Sequence, residues 1–452
     1  MHALLTDRYQ LTMLAAYARA GIAQRRAVFE LFVRRLPASR RYLVACGIGR
    51  AVALLGDLRF EHADLAWLAE DRVLGPAFAD PRVAEAFRAL RFRGKVWAVP
   101  EGRVCFPGEP LVRVEGTLAE AQLVETLLLS IVNHDTRVAS KCARIVEAAA
   151  GRDCFEFGTR RTHEHAAVDA ARAAYVAGFS GTSNEEAARR HGVPVTGTMA
   201  HAFVLAHAAD AGEDGEEQAF ADFARTFAGP SVCLVDTFDA ARGVDRAIAG
   251  AGPLLAGVRI DSGDLLAGAR DARKKLDAAG LARAKVVLSD DLDEDKIAAL
   301  VAAGAPVDTF GVGTMAVSTP DAPSLGAVYK LVAMEDARGA LVAVQKRAGG
   351  KGSSAGVKQV FRTTDPFADV VGRADEVLPG SPLLELVFDG ERATIDPSAA
   401  AARARFLADR AELGEALRSI APRADGEGFP VTISPALAAI QETCTREGRV
   451  AL

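Results

Sequence analysis

The chain has no excess of positive charge. In 452 residues, 54 lysines and arginines stand against 59 aspartates and glutamates, a formal net charge of −5. A protein gripping nucleic acid through its phosphates would carry a basic balance, so no nucleic-acid partner is expected. Long apolar runs are also missing. Each is cut by Arg, Asp or Gly well short of the roughly 18 residues a membrane span requires, and no membrane partner is expected. The six cysteines are sparse, and the nearest two, Cys142 and Cys154, lie 12 positions apart. There is no Cys-x-x-Cys pair, which excludes a zinc knuckle and a thioredoxin-type motif. The opening Met1 to Tyr9 has no basic region followed by an apolar core. No export signal is therefore expected, and the expected compartment is the cytosol, where thiols stay reduced.

What is present is ordinary globular material, 50% hydrophobic and 25% charged. That composition excludes disorder, collagen and a small disulfide scaffold. The length suits about three domain-sized units, or one large barrel with an accessory domain.

The organisation changes along the chain. The first 90 residues read as helical, with Asp7 capping a periodic run through Leu11, Met13, Leu14 and Tyr17 that Gly21 ends. From Gly94 to Gly116, short apolar runs cut by Pro100-Glu101-Gly102 and Pro107-Gly108-Glu109-Pro110 predict a small β-meander. Leu118 to Ile131 returns to helix spacing. In the middle of the chain, short apolar runs end in small or polar residues, and each is followed by a helix-like stretch. The ends are Phe157-Gly158, Phe179-Ser180-Gly181, Val195-Thr196-Gly197, Leu234-Val235-Asp236, Arg259-Ile260-Asp261, Leu288-Ser289-Asp290 and Phe310-Gly311. Asp236 to Asp261, Asp261 to Ser289 and Ser289 to Gly311 are 25, 28 and 22 residues, the length of one βα unit. A parallel α/β barrel is favoured over a doubly wound sheet, because chemically useful residues sit at nearly every strand end and would share one mouth. Beyond about residue 327 a hairpin is expected around Asp336 to Gly339, then a glycine-rich loop with Lys351, then an Arg-rich helical region packing back on the N-terminal meander. The acidic stretch Asp210 to Glu217 reads as a solvated loop. The expected domains are 1–130 (helical plus meander), 131–327 (barrel) and 328–452 (hairpin and helices).

Several strand ends could carry chemistry. Gly311-Val312-Gly313-Thr314 offers backbone amides suited to phosphate, although a tight βα turn reads equally well. Arg259 to Asp264 presents a guanidinium, two carboxylates, a hydroxyl and a glycine, fit for a ribose, a metal or an anion; a paired Arg-Asp with a capping serine is the plainer reading. Phe155 to Arg161 sets an aromatic beside two cations, fit to stack a flat ring and hold an anion, or else a core Phe with surface arginines. His163 and His165 resemble a metal pair, but positions i and i+2 of a helix diverge. Gly197 to His201 ends in a histidine that an acidic strand end at Asp236 could orient, although a lone histidine is most often structural.

Taken together, Thr6 to Met13, Phe155 to Arg161, Gly197 to His201, Val258 to Leu265 and Phe310 to Thr314 resemble the signature stretches of the nicotinate phosphoribosyltransferase family. Arg34 to Pro37, Asn133 to Arg144 and Tyr329 to Val332 fit as well, and the resemblance runs in order from residue 5 to about 362. It implies an atypical, incomplete α/β barrel with a mixed α+β N-terminal domain completed by C-terminal segments. It also implies synthesis of nicotinate mononucleotide and diphosphate from nicotinate and 5-phosphoribosyl 1-diphosphate, coupled to ATP through a phosphohistidine and assisted by Mg²⁺, in NAD salvage (the Preiss-Handler route). The implied assembly is a homodimer with shared sites.

By the same resemblance, His201 matches the phosphorylated histidine and Asp236 a nearby acidic position. Tyr9, from the partner subunit, and Phe157 match the ring sandwich. Thr198 and Arg259 match nicotinate contacts, and Arg160 and Asp261 positions near the phosphoribosyl group. Gly311, Gly313 and Thr314 match the 5-phosphate cradle. The basic loop departs from the family pattern, with Ala355 where a proline is usual, which leaves Lys351 and Lys358 without an assigned role.

The nicotinamide-specific relatives carry an aspartate where this chain has Ser183. A carboxylate there would repel nicotinate by about 4 kcal/mol at about 4 Å and an effective dielectric near 20. Ser183 thus favours the acid. A quinolinate-specific enzyme needs no phosphohistidine, and a non-catalytic nucleotide-sensing barrel would not need the full cluster; both are weaker readings.

Overall fold

A computed structural model describes residues 3–227, 229–346 and 354–452. The chain divides into two compact units, one formed by Met1–Ser140 with Asp321–Leu452 and the other by Lys141–Pro320.

The first unit is built on a seven-stranded antiparallel sheet. Its strands run in the order Glu385–Phe388, Lys95–Ala98, Pro110–Thr117, Arg26–Val33, Ala327–Glu335, Leu341–Val344 and Arg449–Ala451. The central strand, Arg26–Val33, corrects the expectation of an all-helical first 90 residues. Its sequence RAVFELFV is nearly continuously apolar and its side chains are buried on both faces, so neither a two-residue nor a helical period stands out. Phe29 stacks on Tyr329 with centroids 4.9 Å apart. The meander is corrected too: Lys95–Ala98 and Pro110–Thr117 pair with each other, but the run between them, Val104–Cys105, pairs with Leu43–Val44 in a separate ribbon. The hairpin around Asp336 to Gly339 is present, with Asp336 Oδ1 accepting from the Arg338 and Ala340 amides.

The helix Ala399–Glu412 lies against the turn at Pro100 to Arg103. Asp409 accepts from Arg103 Nε at 3.0 Å and the Val104 amide at 2.8 Å. Lys358, given no role by its sequence, is buried here. Its Nζ sits 2.7 Å from Glu30 Oε2 and also donates to the carbonyls of Ser354 and Gly356. Lys351 lies outside the described residues.

The second unit is an incomplete parallel α/β barrel. Its strands are β1 (Asp153–Glu156), β2 (Gly181–Thr182), β3 (Ser231–Leu234), β4 (Leu255–Ile260), β5 (Lys285–Leu288) and β6 (Thr309–Val312). The sheet order is β2-β1-β6-β5-β4-β3, all parallel, as the βα rhythm predicts. The third of the seven expected strand ends, at Val195, shrinks to one parallel bridge between Val195 and Thr182 at the β2 edge. Helices follow the strands, among them α1 (Glu164–Val176), α2 (His201–Ala211), α3 (Gly215–Phe227), α4 (Ala240–Ala251), α5 (Leu265–Ala278) and α6 (Glu294–Ala302). Asp239, Asp264 and Asp293 cap α4, α5 and α6 by accepting from backbone amides.

The acidic stretch from Asp210 is largely exposed, as expected of a solvated segment, but it is not a loop: it comprises the end of α2, the turn Gly212–Asp214 and the start of α3. Within it Glu216 is fully buried, with Oε2 2.9 Å from Arg246 Nη1. A buried triad anchors α6. Glu294 meets Lys141 Nζ at 2.6 Å and Arg144 Nε at 2.9 Å, and although burial pushes its carboxyl up, the two cations hold it below its usual range. Among the described residues, no helix is long and apolar enough to cross a membrane.

Candidate active site

The chemistry-bearing residues of the second unit project from the C-terminal ends of its strands, where a parallel barrel collects loops from successive βα units. Two cavities lie there. One, of about 540 Å³, is lined by Ser183, Thr198, His201 and Thr159. The other, of about 160 Å³, is lined by Arg161, Ser289, Gly311, Gly313 and Thr314. Phe157, Arg160, Arg259 and Asp261 line both. The structure thus brings the candidates from the sequence together at the two cavities, except Asp236, which lines neither but is hydrogen-bonded to the Asp261 turn, and Tyr9. That residue is on the helix Arg8–Arg19 of the first unit, 47% exposed, next to an Arg8–Asp71 ion pair.

Phe157 is held by its neighbours. Its amide donates to Val312 O at 2.9 Å, and Arg259 lies over its ring at 5.5 Å. A Cβ on Gly311 would come 2.4 Å from that ring, so only glycine lets it lie flat against β6. Gly313 precedes the short helix Thr314–Ser318, giving the predicted strand–turn–helix; the Thr314 hydroxyl donates to Asp291 at 3.2 Å.

Arg259 Nε donates to Ser289 Oγ at 2.9 Å, and Ser289 Oγ donates in turn to Asp261 Oδ1. Arg259 Nη2 is also 3.2 Å from that carboxylate. Asp236 Oδ2 accepts from the Asp261 amide at 2.9 Å and the Ser262 hydroxyl at 2.5 Å, while its Oδ1 is buried with no hydrogen-bond partner. The Asp236 carboxylate is therefore occupied with the Asp261 turn and does not orient His201. The imidazole partner is the next residue, Thr237, whose Oγ1 is 3.1 Å from His201 Nδ1.

Ser183, Arg160 and Arg161 are exposed at the mouth. Behind them lies Glu156, fully buried. It accepts from the Thr182 hydroxyl at 2.6 Å and from the Gly158 amide, tying the β1 end to the β2 end. Burial pushes its carboxyl above the usual range, against the pull of those two hydrogen bonds. His163 is the residue just before α1 and His165 is within it; both side chains are exposed, and their rings are 5.9 Å apart.

Sequence reading missed Thr237, Ser289 and Glu156. Ser289 showed only as a small residue closing an apolar run. Its role comes from register, since Leu288 pairs with Ile260 and sets Ser289 beside Asp261. Asp290 follows with φ of +106°, uncommon for a residue with a side chain, and lines the smaller cavity.

Comparison with known proteins yields a consistent set of relatives. Residues 4–133 match the family model of the nicotinate phosphoribosyltransferase (NAPRTase) N-terminal domain, and residues 153–372 match that of the nicotinate phosphoribosyltransferase (NAPRTase) family. A nicotinate phosphoribosyltransferase of Mycobacterium tuberculosis is 45% identical over 410 residues, covering 88% of this chain and 88% of its own length. The Homo sapiens nicotinate phosphoribosyltransferase is 34% identical over 479 residues, covering 92% of this chain and 88% of its own. The crystal structure of human nicotinic acid phosphoribosyltransferase superposes with a TM-score of 0.81 at 30% identity, covering 97% of this chain and 99% of that one.

Proposed function

The chain belongs to the nicotinate phosphoribosyltransferase family, and on that premise we propose that its two connected cavities hold the two halves of one reaction. Nicotinate occupies the larger cavity and 5-phosphoribosyl 1-diphosphate the smaller. The observation that carries this reading is the set of four residues common to both: Phe157, Arg160, Arg259 and Asp261. A ring stacked on Phe157 presents its nitrogen toward the wall that the two cavities share. The nitrogen lone pair forms the bond to ribose C1, and the C1–O bond electrons leave on diphosphate. The base therefore needs no proton removed from it.

The protein's part is to position charge. Arg259 and Thr198 meet the nicotinate carboxylate, and Ser183 at the mouth leaves room for that negative group. Asp261 stabilises the cationic ribosyl centre, Arg160 the anionic groups, and Gly311, Gly313 and Thr314 the 5-phosphate. The oxygen donors suit a hard divalent cation, since Asp236 retains a buried oxygen without a partner and Asp261, just past the end of the next strand, donates its amide to the other Asp236 oxygen. Asp236 and Asp261 would hold Mg²⁺, which when bound neutralises the departing diphosphate.

His201 is the phosphoacceptor for ATP in this reading. Its Nδ1 faces Thr237, so Nε2 is the nitrogen left to attack the γ-phosphorus, with ADP leaving. The new oxygens bring about two negative charges to the larger cavity. The working form is a homodimer in which the partner's Tyr9 covers the exposed face of the pyridine. The product feeds NAD salvage from nicotinate, in the cytosol.

A product assay with nicotinate, nicotinamide and quinolinate, each with and without ATP, tests the whole reading. Turnover of nicotinate, stimulated by ATP, is expected. Turnover of quinolinate without ATP, or preference for the amide, would overturn it.

A further inference from the structure

Arg259 is on β4 and Asp261 is the residue just past its end, and both line the base and the ribosyl cavities. Strand geometry alone would leave their side chains to find their own positions. The structure instead places one hydroxyl between them. Ser289 Oγ accepts from Arg259 Nε at 2.9 Å and donates to Asp261 Oδ1, so both of its hydrogen-bonding functions are engaged. The serine is itself fixed. It is 3% exposed, and its amide donates to Ile260 O at 3.0 Å, continuing the β5–β4 ladder one step past the strand end. Immediately afterwards the chain turns away at Asp290, in the left-handed region.

A serine held at both backbone and side chain, with its hydroxyl shared by a cation and an anion, is a rigid spacer. It sets the guanidinium over Phe157 and the carboxylate into the smaller cavity at the same time. A direct Arg259–Asp261 pair would be looser. The remaining contact, Nη2 to Oδ1, is 3.2 Å and shares the oxygen already taken by Ser289.

We propose that Ser289 is a positioning residue that couples the two half-sites, holding Arg259 for the base and Asp261 for the phosphoribosyl group. The proposal rests on the reading above that these two residues meet those two substrates. It explains why a small hydroxyl residue that lines the smaller cavity stands just past the end of β5. The hydroxyl is required, and Ser289 packs against the bare Gly311, where an added Cβ would come 3.2 Å from its own.

The test is a kinetic cycle. Ser289→Ala removes one oxygen from a buried site and is expected to fold. It should raise KM for nicotinate and for 5-phosphoribosyl 1-diphosphate by about fivefold each, with an unchanged melting temperature; a loss that tracks melting temperature would mark a merely structural residue and overturn the proposal. Ser289→Thr, which keeps the hydroxyl, should recover the KM for at least one substrate. In an Arg259→Ala background, Ser289→Ala should add less than about twofold to the nicotinate KM while still raising that for the phosphoribosyl donor. Equal effects of Ser289→Ala on nicotinate KM in both backgrounds, or no effect in either, would overturn the proposal. An Arg259→Ala enzyme with the wild-type nicotinate KM would instead overturn the substrate reading beneath it.

Discussion

Arg362 in the first unit and Arg259 in the second are built alike and used differently. Each lies over a phenylalanine ring, Arg362 at 4.5 Å from Phe367 and Arg259 at 5.5 Å from Phe157, and each meets an aspartate. Arg362 is 1% exposed and every arm of its guanidinium is engaged. Nε donates to Asp369 Oδ1 at 2.8 Å, Nη2 to Asp369 Oδ2 at 2.5 Å and Nη1 to Asp409 at 3.2 Å. Burial and the negative Asp369 push the neighbouring Glu109 carboxyl well up. Arg259 is 19% exposed, and its Nη1 has no partner among the described residues. The same contrast separates the Lys358–Glu30 pair, closed on itself, from Asp236, which keeps one oxygen free. A charge that stabilises is surrounded until nothing is left to bind; Arg259, which lines both cavities, keeps one arm of its guanidinium open.

That contrast can be broken or sharpened experimentally. The largest expected effect is at His201: His201→Ala should abolish ATP hydrolysis and leave slow nucleotide synthesis, because the nucleophile in the main reaction is the pyridine. An undiminished ATPase rate in the folded variant would remove His201 from that role. Next is the closed network. Asp369→Ala leaves Arg362 buried with half its partners and should cost about 3–5 kcal/mol of stability, read from urea unfolding. A loss under about 1 kcal/mol would mean that this cluster is as open as the barrel mouth.

At the mouth the expected sign is reversed, with activity moving and stability holding. Ser183→Asp should lower kcat/KM for nicotinate about tenfold or more, equivalent to about 1.4 kcal/mol of transition-state binding, with little change in unfolding midpoint. Unaffected nicotinate turnover would place Ser183 away from the carboxylate. Tyr9→Ala should remove about 0.5–1.5 kcal/mol of stacking, seen as a raised KM for nicotinate but not for the phosphoribosyl donor. Co-expression with Arg259→Ala should restore part of the activity; heterodimers without recovery would show that the sites are not shared. The smallest effect concerns acid. Lys141 and Arg144 lower the Glu294 carboxyl below its unfolded value, so their contribution to stability is full above about pH 4.5 and is lost as pH falls through the lower folded value. Glu294→Gln should flatten that part of the stability–pH curve, and an unchanged curve would assign the acid sensitivity elsewhere.

How far the molecule was legible follows from the range of each interaction. The barrel could be read because each strand end writes its own local sign, an apolar run stopping at Asp236, Asp261 or Gly311 about one βα unit from the next. The Gly311 turn and the Phe157 ring were visible for the same reason. The central strand of the first unit was not, because burial of both faces of Arg26–Val33 erased the alternation that marks a strand. Thr237 and Ser289 were invisible for a different reason. A hydroxyl gains its partner only when the register of two strands is set, and no spacing within one strand reveals it.

The hydroxyl beside His201 has one more consequence. A carboxylate in that place would only accept, and would hold the ring in the single tautomer that donates from Nδ1. Thr237 can accept from Nδ1–H or donate to a bare Nδ1, and rotating one O–H bond converts the first arrangement into the second. The ring can therefore exchange its proton between nitrogens without any heavy atom changing place. A catalytic cycle that loads and unloads the far nitrogen would meet the same scaffold at every stage.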